Sequence, residues 1–284
     1  MGDFHLVTPA SEEGVLAELA TGPPGTVALL AGGTDLLADV DEGRTHPRTV
    51  ISLRRLPWAT HAWGPDGLTI GSTEPLRALE QDPRLSERLP ALAQAIAAVG
   101  SPALRRQATV GGNLGRAAPS SDLAPALLAL DAEVELLGPA GTRVLPLTGF
   151  LLASRRTALR ADELIRSVRL PEVRRASAYL WQRVRPANDI SQIGVAVAYS
   201  VRRARWRISL GGVPPRAVDA PEAEAPLEGA RPSEAAVRAA ADRLAAHPAL
   251  VSDRRATEEH RRRLASVLCA RAVVSAVASA GDDP

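Results

Sequence analysis

The chain of 284 residues contains no lysine; all 34 of its basic residues are arginine. With abundant alanine, this points to a compositional bias rather than to a function. There is one cysteine, and aromatic residues make up 3%. One cysteine can form no internal disulfide and cannot ligate an iron–sulfur cluster. Cys269 falls in an apolar helical pattern and reads as a core residue. With so few aromatics, the cores must be aliphatic. A net charge of only +2 argues against nucleic acid as a partner, because such domains carry a concentrated basic footprint. The one basic run, Glu258 to Ser266, lies in a helical pattern and reads as a solvated face. The N-terminus lacks a basic stretch followed by an apolar core, so no signal peptide is expected. No run reaches about 18 apolar residues, so no membrane span is expected. These absences together lead to the expectation of a cytoplasmic protein.

What is present is ordinary for a globular chain: 45% hydrophobic and 23% charged residues, and length enough for two cores. The first 55 residues or so alternate strand and helix, with Ser11 as a predicted helix cap. "TVALLAGG" reads as a buried strand. "LSERLPALAQAIAAVGSPALRRQ" reads as a long helical pattern ended by Gly100 and Pro102, and "AEVELLG" and "DELIRSVRLP" as strands. Near residue 172 the texture changes to antiparallel alternation ("ASAYLWQRVR", "QIGVAVAYSVRRARWRISLGGV"). A Pro- and Glu-rich loop over 214–232 and two helices follow, with Ser233 and Ser252 as candidate caps. The expected division is 1–172, split near 55, and 173–284. No internal repeat is evident.

Two glycine segments stand out: "LLAGGTDL" (29–36) and "TVGGNLG" (109–115), each expected to form a loop. Glycine admits positive φ and leaves no Cβ in the way, so backbone N–H groups can converge on an anion, and a helix start adds favourable dipole ends. Two such segments suit a ligand with two phosphates. Taken singly, each also reads as a tight turn. Neither matches Gly-x-Gly-x-x-Gly or the Gly-Lys-Ser/Thr of a P-loop, which excludes those two nucleotide folds. Neither segment contains a His or a Cys.

The pair "AGGTDL" and "TVGGNLGRAAPSSDLAPALLALDAEVEL" resembles the FAD-binding medium subunit of the xanthine dehydrogenase and carbon monoxide dehydrogenase family of molybdenum hydroxylases. "VISLRRLP", "LTIGSTEPLRALEQDP", "ADELIRSVRLP", "ANDISQIGVAVA" and "ISLGGVPPRAVDA" extend the likeness over nearly the whole chain. The resemblance implies an α+β fold: a two-part FAD-binding domain of the PCMH (vanillyl-alcohol oxidase-like) type, then a C-terminal domain with an antiparallel sheet and helices. It implies non-covalent FAD, held by Leu29, Leu30, Ala31, Gly32, Gly33, Thr34, Asp35 and Leu36 on one segment. On the other it implies Thr109, Gly111, Gly112 and Asn113. Asp122 and Ile165 are further implied contacts. The family's usual lysine near the flavin falls at Trp181; Arg183 or Arg185 is the candidate replacement, and Trp181 could instead cover the flavin. Arg116 is either a cofactor contact or a solvated side chain.

The five histidines are scattered, and the sequence shows no catalytic triad, paired carboxylates or metal-ligand spacing. No catalytic or metal-binding residue is therefore assigned. The resemblance implies an electron-transfer subunit working with a large molybdopterin subunit and a small [2Fe-2S] subunit, in a dimer of heterotrimers. Electrons would pass from the clusters through FAD to NAD+, oxygen or a quinone. It leaves the substrate open among a purine such as xanthine, an aldehyde, an N-heterocycle and carbon monoxide. A flavin-free scaffold and a self-standing flavoprotein are the competing readings.

Overall fold

The computed structural model describes residues 4–280 except 24, 66, 175 and 186–188. Asp3 in the first predicted strand lies outside the described residues. So do Ala187 and Asn188, at the start of "ANDISQIGVAVA". The fold is α+β and holds three main sheets.

The first is small and parallel: β1 (His5–Val7), β2 (Val27–Leu30) and β3 (Thr49–Ser52), in the order β1-β3-β2. Helices α1 (Glu12–Thr21) and α2 (Leu36–Asp41) make the crossovers. Ser11 caps α1 by accepting from the Gly14 amide at 3.1 Å. The expected burial of β2 is corrected: all four of its residues are half-exposed, for β2 is an edge strand and Val27 and Leu29 face an open cleft.

The second sheet is antiparallel, in the order β4-β5-β10-β6-β7: β4 (His61–Trp63), β5 (Leu68–Gly71), β6 (Glu133–Gly138), β7 (Gly141–Pro146) and β10 (Leu164–Leu170). A small hairpin of β8 (Leu151–Ala153) and β9 (Arg156–Thr157) follows α9 (Leu147–Phe150). After β5 come α3 (Leu76–Glu80), α4 (Pro83–Arg88), α5 (Pro90–Ala98) and α6 (Pro102–Arg105). The long helix expected up to Gly100 is thus two, α4 and α5, and α6 is a separate helix beyond the expected stop. Pro83, Pro90 and Pro102 each occupy a helix's first position. There the missing N–H costs nothing, whereas Pro inside a helix would clash with the carbonyl four residues back.

The second glycine segment is also helical rather than a loop. It forms α7 (Val110–Arg116), with Thr109 as N-cap accepting from the Gly112 amide at 3.0 Å. α8 (Leu123–Ala129) follows.

The third sheet is antiparallel: β11 (Ser177–Gln182), β12 (Ile193–Ser200), β13 (Arg205–Gly211) and β14 (Val218–Asp219). β14 and α10 (Pro221–Glu224) occupy the stretch expected to be loop. Helices α11 (Glu234–Ala245) and α12 (Glu258–Ala280) cover one face of this sheet, and α5 and α8 cover the other. All eight residues of β12 are buried for that reason, and its sequence is correspondingly apolar. Tyr179, Ala196 and Ala198 join the core of α5 and α8, so one core crosses from the second sheet's unit to the third's.

The basic run at the start of α12 is not wholly a solvated face. Arg262 and Arg263 pair with Glu258 and Glu259 one turn back, but Arg261 is 0% exposed. Arg261 donates to the carbonyls of Gln192 and Val251 and pairs with Asp253 at 2.8 Å. The more C-terminal part of α12 has a mean hydropathy of 1.5 over an 18-residue window, long and apolar enough for a bilayer by composition. It packs here on β11, β12 and α11.

Candidate functional site

The two glycine segments meet. A Cβ on Gly32 would lie 1.8 Å from the carbonyl oxygen of Gln107, and one on Gly111 would lie 2.5 Å from the Cβ of Ser72. Any side chain at either place would force the backbones apart. Gly33 has φ +75, a conformation that L side chains rarely adopt. A Cβ on Gly112 would meet only the Thr109 hydroxyl at 2.9 Å and Ala31 at 3.9 Å. Gly112 and Ala31 therefore adjoin, and both line a cleft of about 550 Å³.

The cleft wall holds donors that the protein leaves unmatched. The Gly33 carbonyl takes the first bond of α2, from the Leu37 amide at 3.0 Å. Among the described residues, no backbone or side-chain acceptor meets the amides of Gly32, Gly33, Thr34 and Asp35. Successive open amides at a glycine turn and helix start form a concavity for an anion. Asn113 is oriented by Ser121, which donates to its Oδ1 at 2.6 Å and so leaves its NH₂ for the cleft.

Two carboxylates brace the walls. Asp39 on α2 is gripped by Arg116 of α7, which also reaches Asp35 at 3.5 Å, and by Arg44 at 2.6 Å. These guanidinium groups, Arg116 first, hold its carboxyl below the usual range. Arg116 lines the cleft and ties the two glycine segments together. Glu163 takes two bonds from Arg143, both 2.7 Å, and one from the Arg160 amide at 2.9 Å. Arg143 holds its carboxyl low as well, and the pair fixes the loop before Ile165.

Of the residues singled out from sequence, Leu29, Ala31, Gly32, Gly33, Thr34, Asp35 and Leu36 line the cleft, as do Thr109, Gly111, Gly112, Asn113 and Ile165. Leu30 sits behind the first segment in β2. Asp122, Trp181 and Arg183 lie instead at the seam between α8 and the third sheet. Asp122 is 8% exposed. It accepts from the Tyr179 hydroxyl at 2.7 Å, from Ser191 at 2.6 Å and from Arg183 at 3.1 Å. Burial pushes the Asp122 carboxyl up, against the pull of those three donors, and burial with the adjacent carboxylate drives the Tyr179 hydroxyl well above its ordinary value. Trp181 stacks on Tyr179, with ring centroids 5.6 Å apart, and the Arg183 guanidinium lies 5.4 Å from the Trp181 ring. Arg183 also donates to the Ala98 carbonyl, one residue before the cleft residue Val99. Arg185 is paired with Asp189 at 3.6 Å.

Sequence reasoning missed much of the cleft: Ser72, Val99, Leu104, Leu159, Arg160 and Glu163. Ser72 carried a signal, a polar pair "ST" directly after an alternating strand. The others are set by how β10 and α6 fold over the glycine segments. Among the described residues, no group of His, Cys, Asp and Glu is arranged for a metal ion.

The sequence of residues 2–173 matches the model of the FAD binding domain in molybdopterin dehydrogenase, and 178–276 matches the CO dehydrogenase flavoprotein C-terminal domain. This chain belongs to the molybdopterin dehydrogenase family, as its FAD-binding subunit. The xanthine dehydrogenase FAD-binding subunit of Escherichia coli O157:H7 is 30% identical over 89% of each chain. The nicotinate dehydrogenase FAD-subunit of Eubacterium barkeri is 33% identical over 75% of each. A chain of carbon monoxide dehydrogenase from Hydrogenophaga pseudoflava superposes with a TM-score of 0.87 at 28% identity, covering 97% of this chain and 98% of that one.

The cleft fits the FAD of this family on its own chemistry. Its volume is that of a cofactor pocket, its glycines clear the backbone for close approach, and its unmatched amides are donors suited to a pyrophosphate.

Proposed function

We propose that FAD lies in this cleft without a covalent link, its pyrophosphate between the two glycine segments and its flavin toward Ile165 and the seam. The open amides of Gly32 to Asp35, facing Gly112, carry the reading. In it, the amides of Gly32, Gly33, Thr34 and Asp35 bind phosphate oxygens. Leu29, Leu30, Ala31 and Leu36 shape that wall, Thr109 holds the Gly111–Gly112 turn, and Asn113 offers its NH₂ group. Asp122, Trp181 and Arg183 border the flavin from the seam. Two units, 1–172 with a division near 55 and 173–284, frame the site.

The bound flavin supplies the redox chemistry, taking electrons from iron–sulfur clusters and passing them to NAD+, oxygen or a quinone. The clusters belong to a small [2Fe-2S] partner and the substrate chemistry to a large molybdopterin partner, in a dimer of heterotrimers. Inventory supports this: a cluster needs several ligands, and Cys269 is the one cysteine, buried in α12. The names of the relatives support it too, since they span xanthine, nicotinate and carbon monoxide as substrates. For this chain the substrate class is a purine, aldehyde, N-heterocycle or carbon monoxide. The setting is cytoplasmic, with α12 in the protein core rather than a membrane and no nucleic acid bound.

The test is to offer the purified chain candidate substrates and an acceptor dye, then to add the partner subunits. Dye reduction should need the partners. Reduction by the chain alone, free of molybdenum and iron, would sink the reading.

A further inference from the structure

Among the described residues, six of the eight buried serine hydroxyls donate to an acceptor within the protein. Ser121, Ser167, Ser177, Ser191, Ser200 and Ser209 each donate at 2.6–2.7 Å to a defined acceptor. Ser72 does not. It is 2% exposed, and its hydroxyl has no partner among the described residues. Thr73 shares the fault, but Ser72 is the one of the two that lines the cleft.

Ser72 is also held in place. Its amide donates to the Arg166 carbonyl and its carbonyl accepts from the Gly111 amide, both at 3.0 Å. The packing against Gly111 leaves no room for even a methyl group there. The residue's backbone is clamped between β10 and the first turn of α7. A buried hydroxyl without a partner is destabilising, and such groups in native folds call for an explanation.

We propose that the Ser72 hydroxyl donates a hydrogen bond to bound FAD, at the pyrophosphate held between Gly32–Gly33 and Gly111–Gly112. It is a third recognition element, from the second sheet rather than from either glycine segment. Thr109, whose hydroxyl accepts from the Gly112 amide, keeps its own proton and can donate to the same ligand from the other side. An O–H donated to a charged oxygen is stronger than one to a neutral acceptor. The inference rests on the cleft being the seat of FAD.

The experiment titrates apo-protein with FAD, ADP and riboflavin, comparing the native chain with Ser72→Ala and Gly112→Val. Ser72→Ala should weaken FAD and ADP binding by about tenfold. It should leave riboflavin binding unchanged and should not lower the Tm of the apo-protein, since an unpaired hydroxyl has been removed. Native FAD affinity in Ser72→Ala, with binding lost in Gly112→Val, overturns the role of Ser72 and leaves the cleft reading standing. Native affinity in both variants overturns both. Equal losses for riboflavin and ADP overturn the assignment to the pyrophosphate.

Discussion

The cleft and the seam come within one residue of each other, at Ala98 and Val99, yet they are built in opposite ways. The cleft leaves backbone amides unmatched. The seam satisfies its central carboxylate with three donors drawn from the third sheet and the loop beyond it. Buried polar groups are costly unless paired. Unspent hydrogen-bonding capacity therefore marks where a ligand completes the protein, and spent capacity marks where the protein completes itself. Variants in the seam should show in folding, and variants in the cleft should show in affinity.

The largest effect is expected in the seam. Asp122→Ala strands Tyr179, Ser191 and Arg183 without their acceptor and should cost about 3–5 kcal/mol, the range for breaking a buried charged pair. Denaturant unfolding measures it; an unchanged midpoint would erase the contrast. Gly112→Val tests the other side. The apo-protein should fold, because the new side chain meets a hydroxyl rather than backbone. FAD affinity should fall about a hundredfold, or roughly 3 kcal/mol. Gly32→Ala should instead lower the Tm of the apo-protein itself, since its Cβ would strike the Gln107 carbonyl.

Asp39 belongs to both sides. Its Arg partners hold its pKa low, so its contribution is fully present above about pH 4 and is lost as pH falls through the lowered value. Asp39→Asn should cost about 2 kcal/mol at neutral pH and flatten the loss of stability in acid. Asp219 in β14 and Glu224 in α10 behave in the opposite sense. Burial raises both, so the cost of charging them sets in as pH rises through their raised values. A smaller effect is expected from Tyr179→Phe, about 1 kcal/mol, because Ser191 and Arg183 remain on Asp122. The smallest is a null result. Cys269 is buried, and burial pushes its thiol up to about 12. Thiol reagents at neutral pH should leave the native chain unmodified and label it once denatured.

What the sequence showed was what periodicity and glycine spacing can carry. Most strands of the three main sheets were legible, but β4 was not read and β14 lay in a stretch read as loop; the two glycine segments pointed to the cleft that they line. Helix continuity through Pro90 was misread because that proline was weighed against a strong apolar period, and the proline prevailed; the stop at Gly100 and Pro102 was legible. The helical state of Gly111 and Gly112 was hidden because glycine disfavours helix; the Thr109 cap and packing on Ser72 override that preference. Ser72, Val99 and Glu163 reach the cleft only through tertiary folding, which no local pattern encodes. Arg261 looked like its neighbours Arg262 and Arg263; only the docking of α12 separates them.

Because Tyr179, Ala196 and Ala198 complete the core of α5 and α8, the order in which the chain is made matters. A nascent chain that has emerged only to residue 172 has both helices but not the sheet that covers them. Its apolar flank stays bare until β11, β12 and β13 arrive. A truncation at that point should be sticky and short-lived rather than a small working flavoprotein. Biogenesis of the cofactor-binding half thus waits on the tail of the polypeptide.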